Sequence, residues 1–147
     1  MDISPVEPSD FQDIVNLVAE VTRVDILPHF DEQGKTTFTA SVIPDVEKTM
    51  TNDQYLCLKL TMDGEIVGYG AMRDKNYITH IFVSKKKQSK GLGKQLLEAL
   101  LSSTDKNEVC LRSSVNAAAF YEKFGFIATD SEQQVNGIRF VPMTCYR

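Results

Sequence analysis

The chain has 147 residues, 42% of them hydrophobic and 24% charged, which predicts one globular domain covering residues 1–147. No hydrophobic run approaches the roughly 20 residues that a membrane-spanning helix needs, so we expect no membrane association. A net charge of −4 argues against nucleic acid as a partner, because nucleic-acid binding relies on a basic surface. Residues 1–6 carry an acid and a proline where a secretory signal has basic and hydrophobic parts, and we therefore expect a cytoplasmic protein.

The cysteines Cys57, Cys110 and Cys145 are an odd number at wide spacings, and only two histidines accompany them. This pattern favours neither a disulfide framework nor a bound metal ion. Each cysteine lies in a hydrophobic, strand-like run, where a small buried side chain is the ordinary interpretation. We predict no metal site and assign no catalytic role to a cysteine.

The beginning of the chain predicts a short strand, around Ile3 to Val6, and then a helix. Ser9 and Gln12 have the spacing of a capping box, and hydrophobic residues follow at helical spacing over about a dozen residues. The next segment has a weaker pattern with proline and glycine as breakers. We predict two short helices in it, around Lys35 to Val42 and around Asp45 to Met50.

The middle of the chain predicts three successive strands: Tyr55 to Met62, Glu65 to Met72 and Tyr77 to Val83. Asp63-Gly64, between the first two, is a strong signal for a two-residue hairpin turn. A helix with one broad leucine stripe follows, and then a strand from Glu108 to Leu111. The order is therefore strand, crossover helix, strand.

The last part of the chain predicts a short helix and a final hairpin. The helix is indicated by hydrophobic residues at positions i, i+3, i+4 and i+7, followed by a glycine suited to its C-terminus. These residues are Ala117, Phe120, Tyr121, Phe124 and Gly125. Asn136-Gly137 marks the hairpin. In total the pattern predicts one mixed sheet of six or seven strands with about four helices.

A glycine pair lies between a strand and the leucine-rich helix, in Gln88-Ser89-Lys90-Gly91-Leu92-Gly93-Lys94. Glycines there would leave backbone amides uncovered at the positive end of a helix, where phosphate oxygens fit. A flexible turn before a core helix would show the same short pattern. The mononucleotide motif GxxxxGK[ST] is absent, because Gln95 follows Lys94. Residues 85–94 include five lysines and no acid. Such a segment is either a solvated face or a surface that attracts a small polyanion.

Three segments, in this order and spacing, resemble the GNAT superfamily of N-acetyltransferases. They are Ile81-Phe82-Val83, Gln88-x-x-Gly91-x-Gly93 and Ala117-x-x-Phe120-Tyr121-x-Lys123-x-Gly125-Phe126. With the preceding hairpin and first helix, the resemblance covers nearly the whole chain. It implies a GNAT-like α/β fold (the acyl-CoA N-acyltransferase fold), with a mixed, mainly antiparallel sheet whose two central strands are parallel and splay apart to admit a cofactor. It also implies acetyl-CoA as that cofactor, and it says little about the acceptor.

The resemblance implies a role for each matched segment. The backbone of residues 81–83 would pair with the pantetheine arm, and an amide there, first of all that of Ile81, would polarise the thioester carbonyl. Tyr121 would hydrogen-bond or protonate the departing thiolate, with a core tyrosine as the alternative. The cofactor-binding residues implied are Ile81, Phe82, Val83, Gln88, Ser89, Lys90, Gly91, Leu92, Gly93, Lys94, Ser114, Ala117 and Tyr121.

One matched position departs from the family. Many relatives have an asparagine three residues before the alanine, where it contacts the CoA arm, whereas this chain has Ser114 there and Asn116 two residues later. The contact falls to the Ser114 hydroxyl or to Asn116. Ser114 is favoured, because it keeps the register of Phe120 and Tyr121 without a gap.

Regular alternation along the strand Tyr77 to Val83 places Ile78, His80 and Phe82 on one face and the other residues on the opposite face. In the superfamily the positions that match Tyr77 and Thr79 often face the acceptor. His80 would then point away from the acceptor, as a hydrogen-bonded core histidine or, as the alternative, a general base.

The base and the acceptor contacts stay open. His29 is a second candidate for the base, and a chain of water molecules is a third. Arg139 would hold an acceptor carboxylate or lie on a solvent face.

The function that these patterns support is direct transfer of an acetyl group from acetyl-CoA to a primary amine of a small molecule or peptide. We expect a monomer or a homodimer. Cys110 would be needed for a covalent acetyl-enzyme route, but its strand position predicts burial. The alternatives are an acyl-CoA-binding sensor without turnover and an interaction domain whose glycines only shape a turn. The presence of Tyr121 and the glycine pair favours the enzyme.

Overall fold

The computed structural model describes residues 2–85 and 91–147, which form one eight-stranded sheet with α-helices on both faces. The strands are β1 (Asp2–Pro5), β2 (Tyr55–Met62), β3 (Glu65–Arg73), β4 (Tyr77–Val83), β5 (Glu108–Ser114), β6 (Phe126–Ala128), β7 (Gln133–Val135) and β8 (Ile138–Tyr146). The α-helices are α1 (Phe11–Val21), α2 (Glu32–Thr51), α3 (Leu92–Ser102) and α4 (Ala118–Glu122). The predicted fold class is confirmed, with eight strands instead of six or seven. None of the described helices is both long and apolar enough to cross a bilayer.

The strand order puts the only parallel pair of the described sheet near its centre. Across the sheet the order is β1-β2-β3-β4-β5-β8-β6, and β7 pairs with β8. Neighbouring strands are antiparallel except β4 and β5. This parallel pair is joined only at Tyr77 with Cys110 and at Ile78 with Leu111. Past these two positions no described residues pair the strands, and a cleft opens between them, as the sequence predicted.

Hydrophobic clusters on the two faces fix the helices to the sheet. One cluster lies between the sheet and the helices α3 and α4. The α3 residues Leu96, Leu97 and Leu100 are 0% exposed in it, and each such side chain contributes about 1.5–3 kcal/mol through burial. Gly70 lets α3 approach β3 closely, because a Cβ there would lie 3.0 Å from Leu100 Cδ1. The helices α1 and α2 cover the other face with a separate cluster that includes Tyr69. The close approach of α3 holds its N-terminus beside the end of β4.

The segment with the weakest sequence pattern forms one long helix. The prediction of two short helices, Lys35 to Val42 and Asp45 to Met50, is wrong, because α2 continues through Pro44 for 20 residues. A proline inside a helix costs about 3 kcal/mol, since it removes a backbone hydrogen bond and crowds the preceding turn. Val42 and Val46, on either side of Pro44, are 7% and 0% exposed, and their burial offsets much of that cost.

The start of α1 also differs from the prediction. A short 3₁₀ turn precedes the helix, and the predicted capping box of Ser9 and Gln12 is wrong. The Glu7 amide donates instead to Asp10 Oδ2 at 2.8 Å. Asp10 also pairs with Lys59 at 2.7 Å, and this contact lowers the pKa of the carboxyl. The beginning of α1 is therefore fixed to β2.

Both predicted hairpin turns are present, and the second one contacts α2. Asp63-Gly64 and Asn136-Gly137 have positive φ at both residues, as the tight hairpin turn requires. Thr37 Oγ1 donates to the Asn136 carbonyl at 2.9 Å. Gly34 lies so close to Gly137 that a Cβ on either would overlap the backbone of the other. This glycine pair, called the α2–hairpin contact below, holds the first turns of α2 against the hairpin turn at the start of β8.

Candidate active site

A cleft of about 800 Å³ lies where β4 and β5 separate, and its walls come from both faces of the sheet. The wall on the face covered by α3 and α4, called the α3 side, includes Gly93, Ala117 and Tyr121. The wall under α1 and α2, called the α2 side, includes Phe38 and Ser41. The two sides meet between the strands, so molecules entering from opposite faces of the sheet would approach each other there.

The α3 side contains the start of α3. Gly91 precedes the helix with a φ of 71°, and no side chain caps it. The first amides of a helix have no partner within it and form its positive end, which favours anions. Gly91, Gly93 and Lys94 line the cleft, whereas the Leu92 side chain is 0% exposed in the core and can offer only its backbone. Three other residues of the predicted loop lie outside the described residues: Gln88, Ser89 and Lys90.

The end of β4 presents mainly its backbone to the cleft. Ile81, Phe82 and Val83 all line it. The Phe82 and Val83 side chains are only 5% and 7% exposed, because they pack into the two hydrophobic clusters. An extended segment that borders a cleft can pair with a bound chain as an added strand.

Tyr121, on α4, is held in place by neighbouring aromatic rings. Its ring centroid lies 5.2 Å from that of Phe120 and 5.8 Å from that of Phe126, both near edge to face. Its hydroxyl makes no hydrogen bond to any described residue, and the side chain lines the cleft. Burial raises the pKa of Tyr121 to about 12, so the hydroxyl stays protonated at physiological pH. A neutral donor without a partner therefore lies on the α3 side.

The turn between β5 and α4 brings the remaining predicted residues of this side together. Ser114 ends β5, and a 3₁₀ turn, Val115–Ala117, leads into α4. Ser114, Asn116 and Ala117 all line the cleft, so both candidates for the position that departs from the family are present there.

The α2 side is formed by one face of α2 and by the open face of β5 and β8. Thr37, Ser41 and Asp45 follow each other at four-residue intervals on α2 and line the cleft. Asp45 makes no ion pair or hydrogen bond with a described residue, and burial raises the pKa of its carboxyl, opposed by the charge of Lys48. From β5, the Arg112 guanidinium lies 4.5 Å from the centre of the Phe140 ring. Asp45 and Arg112 were missed by sequence reasoning, because neither lies in a motif.

The acceptor residues predicted from the sequence are scattered. Thr79 lines the cleft, whereas Tyr77 does not and has the Arg73 guanidinium 4.9 Å from its ring centre. His29 is exposed beside a small separate crevice. Arg139 lines the edge of the cleft but forms two hydrogen bonds, of 2.8 and 3.0 Å, with Glu132. Its charge is therefore already paired on the surface.

One extra residue in β4 changes the faces predicted for this strand. The register with β3 shifts at Thr79, between the pairs that Ile78 and His80 make, which is the mark of a β-bulge. The expected placement of Ile78 beside His80 is wrong, because Ile78 packs under α3 while the His80 ring lies 5.9 Å from that of Phe82 on the other face. His80, expected to point away from the acceptor, lines the cleft, and burial lowers the pKa of His80 to about 4.

We expect His80 to make the protein less stable in acid. Its folded pKa of about 4 lies below the ordinary 6.5, so the unfolded state binds more protons between these values. The contribution of His80 to the free energy of unfolding is therefore fully present above about pH 6.5. This free energy falls as the pH drops towards 4, by about 3 kcal/mol at most. Urea unfolding across this range should show a smaller pH slope in His80→Gln and an unchanged slope in the exposed control His29→Gln. A slope in His80→Gln equal to that of the wild type would contradict the expectation.

The comparisons with known proteins agree with this architecture. A family model described as an acetyltransferase (GNAT) domain matches residues 26–147. The match covers most of the chain, and the chain belongs to the GNAT acetyltransferase family. No curated protein sequence matches it significantly.

Solved structures show the same fold. A GCN5-related N-acetyltransferase from Rhodopseudomonas palustris has a TM-score of 0.83 at 18% identity, covering 99% of this chain and 95% of that one. The PaiA N-acetyltransferase of Thermoplasma acidophilum, in complex with coenzyme A, has a TM-score of 0.76 at 16% identity, with coverages of 99% and 98%. The ribosomal-protein-S18-alanine N-acetyltransferase of Escherichia coli has a TM-score of 0.67 at 21% identity, with coverages of 99% and 92%. At these identities the likeness concerns the fold.

Proposed function

We propose that the protein transfers an acetyl group from acetyl-CoA directly to a primary amine of a small molecule or peptide. The observation that carries this proposal is the cleft between β4 and β5, whose two walls are lined differently and whose α3 side includes a tyrosine hydroxyl without a hydrogen-bond partner among the described residues. The α3 side offers backbone and a helix start, and the α2 side offers polar and aromatic side chains. Membership of an acetyltransferase family supports the reaction class.

The donor would bind on the α3 side. Its pantetheine arm would lie along the end of β4 at Ile81 to Val83, and its pyrophosphate would meet the first amides of α3 at Gly91 and Gly93. Lys94, which pairs only loosely with Glu98 at 3.8 Å on the surface, would add a positive charge near the phosphates. The Ile81 amide would polarise the thioester carbonyl.

Direct attack is favoured over a covalent enzyme intermediate. Cys110, the one cysteine that β5 brings near the centre of the sheet, does not line the cleft in the described structure. Its Sγ accepts a hydrogen bond from Thr144 Oγ1 at 3.4 Å. The amine would therefore attack the thioester itself, and Tyr121 would donate a hydrogen bond to the sulfur as it leaves.

The decisive experiment measures free thiol released from acetyl-CoA in the presence of a panel of primary amines. Acetyl transfer predicts release well above the blank without an amine, together with a mass gain of one acetyl group on the amine. A sensor would be stabilised by CoA, by about 2.7 kcal/mol at 100 times the dissociation constant, but would release no thiol. A plain interaction domain would show no stabilisation by CoA at all.

We expect Gly93→Ala to stabilise the free protein and to weaken its binding of CoA. The added Cβ would lie 3.4 Å from Phe120 Cζ, an ordinary contact, and alanine favours a helix over glycine by roughly 0.5–1 kcal/mol. The same Cβ would hold phosphate oxygens away from the first amides of α3, and we expect a rise in Kd of about tenfold. Thermal unfolding without ligand and calorimetric titration with CoA check the two effects. Unchanged CoA affinity would remove Gly93 from the phosphate site.

A further inference from the structure

We propose that His80 is the general base of this site: its Nε2 accepts the proton of the attacking amine, and Thr79 determines that this nitrogen is the free one. The proposal rests on the proposed acetyl transfer and names the proton acceptor that this reaction needs. Its structural basis is the bulge in β4, which places a hydroxyl beside the imidazole.

Thr79 fixes the tautomer of His80. Thr79 Oγ1 lies 3.3 Å from the Ala71 carbonyl oxygen and 2.8 Å from His80 Nδ1. In the proposed arrangement the hydroxyl donates its single proton to the Ala71 carbonyl, which can only accept, and the hydroxyl then accepts from the histidine. Nδ1 therefore carries the N–H, and in the neutral ring the lone pair is on Nε2.

Nε2 is available to a bound molecule. His80 lines the cleft, and no described residue makes a hydrogen bond to Nε2 or brings a carboxylate oxygen within 4.0 Å of a ring nitrogen. His80 immediately precedes Ile81, whose amide would polarise the thioester carbonyl. The proton acceptor and the polarising amide therefore lie next to each other on the strand that faces the opening.

The surrounding charges leave the ring neutral. Asp25 is paired with Lys85 at 3.1 Å, and the Arg112 guanidinium lies 4.5 Å from the centre of the Phe140 ring. Among the described residues, the charged side chains that line the cleft are Asp25, Asp45, Lys85, Lys94, Arg112 and Arg139. Burial alone lowers the pKa of His80 to about 4. The imidazole is thus uncharged throughout the physiological range, so one ring nitrogen keeps its lone pair.

The proposed step balances without a further reactant. The neutral amine nitrogen forms a bond to the carbonyl carbon, and a proton of the cationic nitrogen that results passes to His80 Nε2 to give an imidazolium. The carbon–sulfur bond breaks, its electron pair leaves with sulfur, and CoA departs as a thiolate that accepts a hydrogen bond from the Tyr121 hydroxyl. The imidazolium returns its proton to solvent as the amide product leaves.

The first test reads the tautomer and requires no acceptor. The chain has two histidines, so nitrogen NMR of protein labelled at histidine can be assigned with the variant His29→Gln. The proposal predicts a neutral His80 at pH 7 with the proton on Nδ1, loss of this single tautomer in Thr79→Val, and its return in Thr79→Ser. A wild-type spectrum with the proton on Nε2 overturns the proposal.

The second test is kinetic and uses an amine that the wild type acetylates. We expect His80→Gln to lower kcat about 100-fold with little change in the KM for acetyl-CoA, while His29→Gln keeps wild-type rates. Thr79→Val should lower kcat, and Thr79→Ser should restore it, which marks Thr79 as a positioning residue. Equal turnover of His80→Gln and the wild type would overturn the assignment of His80 as the general base. The proposed acetyl transfer would not be affected by that result. A wild type that releases no thiol with any amine overturns the proposed function, and the base with it, whatever the tautomer.

Discussion

Tyr121→Phe should lower kcat about 100-fold while CoA binds as tightly as before, because the lost group is a hydrogen-bond donor to charge that develops on the departing sulfur. Phenylalanine retains the ring contacts with Phe120 and Phe126. The hydroxyl makes no hydrogen bond to a described residue of the free protein, so its removal should leave thermal stability unchanged. Single-turnover kinetics and titration with CoA separate the effect on chemistry from the effect on binding.

A surface tyrosine provides the control for this variant. Tyr146 is 58% exposed at the end of β8 and does not line the cleft, so Tyr146→Phe should keep wild-type rates. The pKa of about 12 also predicts that Tyr121 causes no loss of activity through ionisation up to about pH 11. Wild-type turnover in Tyr121→Phe would remove its assigned role.

Gly137→Ala should be the most destabilising of the glycine substitutions at hairpin turns, and Gly64→Ala is its matched control. Both glycines follow an acid or amide residue in a two-residue turn, with φ of 83° and 79°. An alanine at positive φ costs about 1–2 kcal/mol at either position. At Gly64 the new Cβ would meet nothing within 4 Å, whereas at Gly137 it would overlap the backbone of Gly34 and approach Asp31 Oδ1 to 2.9 Å.

The extra overlap should add about 1–3 kcal/mol to the loss of unfolding free energy in Gly137→Ala. Urea denaturation of the two variants measures the difference directly. Because the α2–hairpin contact holds the first turns of α2, Gly137→Ala should also raise the KM for the amine more than the KM for acetyl-CoA. Equal destabilisation of the two variants would contradict the close glycine contact.

Short, local signals in the sequence predicted most of the fold. Asp63-Gly64 and Asn136-Gly137 specify their turns through conformations that few other residues adopt, and the leucine stripe of α3 needs no knowledge of distant residues. Local signals did not predict α2 correctly, because the residues of this helix face two different environments. Val42 and Val46 enter the core, while the polar residues at four-residue spacing line a cleft that only the folded sheet creates.

The sequence named most of the α3 side of the candidate site but only part of its acceptor side, where Thr79, His80 and Arg139 are the named candidates that line the cleft. The α3 side follows a motif in which glycines and an aromatic pair keep a fixed spacing, so its residues could be named in advance. The α2 side is assembled from residues far apart in the chain, such as Asp45 and Arg112, which meet only through tertiary packing. The bulge at Thr79 depends on the register between β4 and β3, and no local pattern within β4 reveals that shift.

The junction of β4 and β5 has a mechanical consequence. Only two residue pairs, at Tyr77 and Ile78, join the strands on either side of the cleft, whereas β5 and β8 pair at seven positions. Two neighbouring strands that share few backbone hydrogen bonds can move relative to each other more easily than fully paired strands. The two halves of the sheet can tilt about this junction without breaking hydrogen bonds within either half. The width of the cleft can therefore adjust to the size of a bound molecule at small cost to the rest of the sheet.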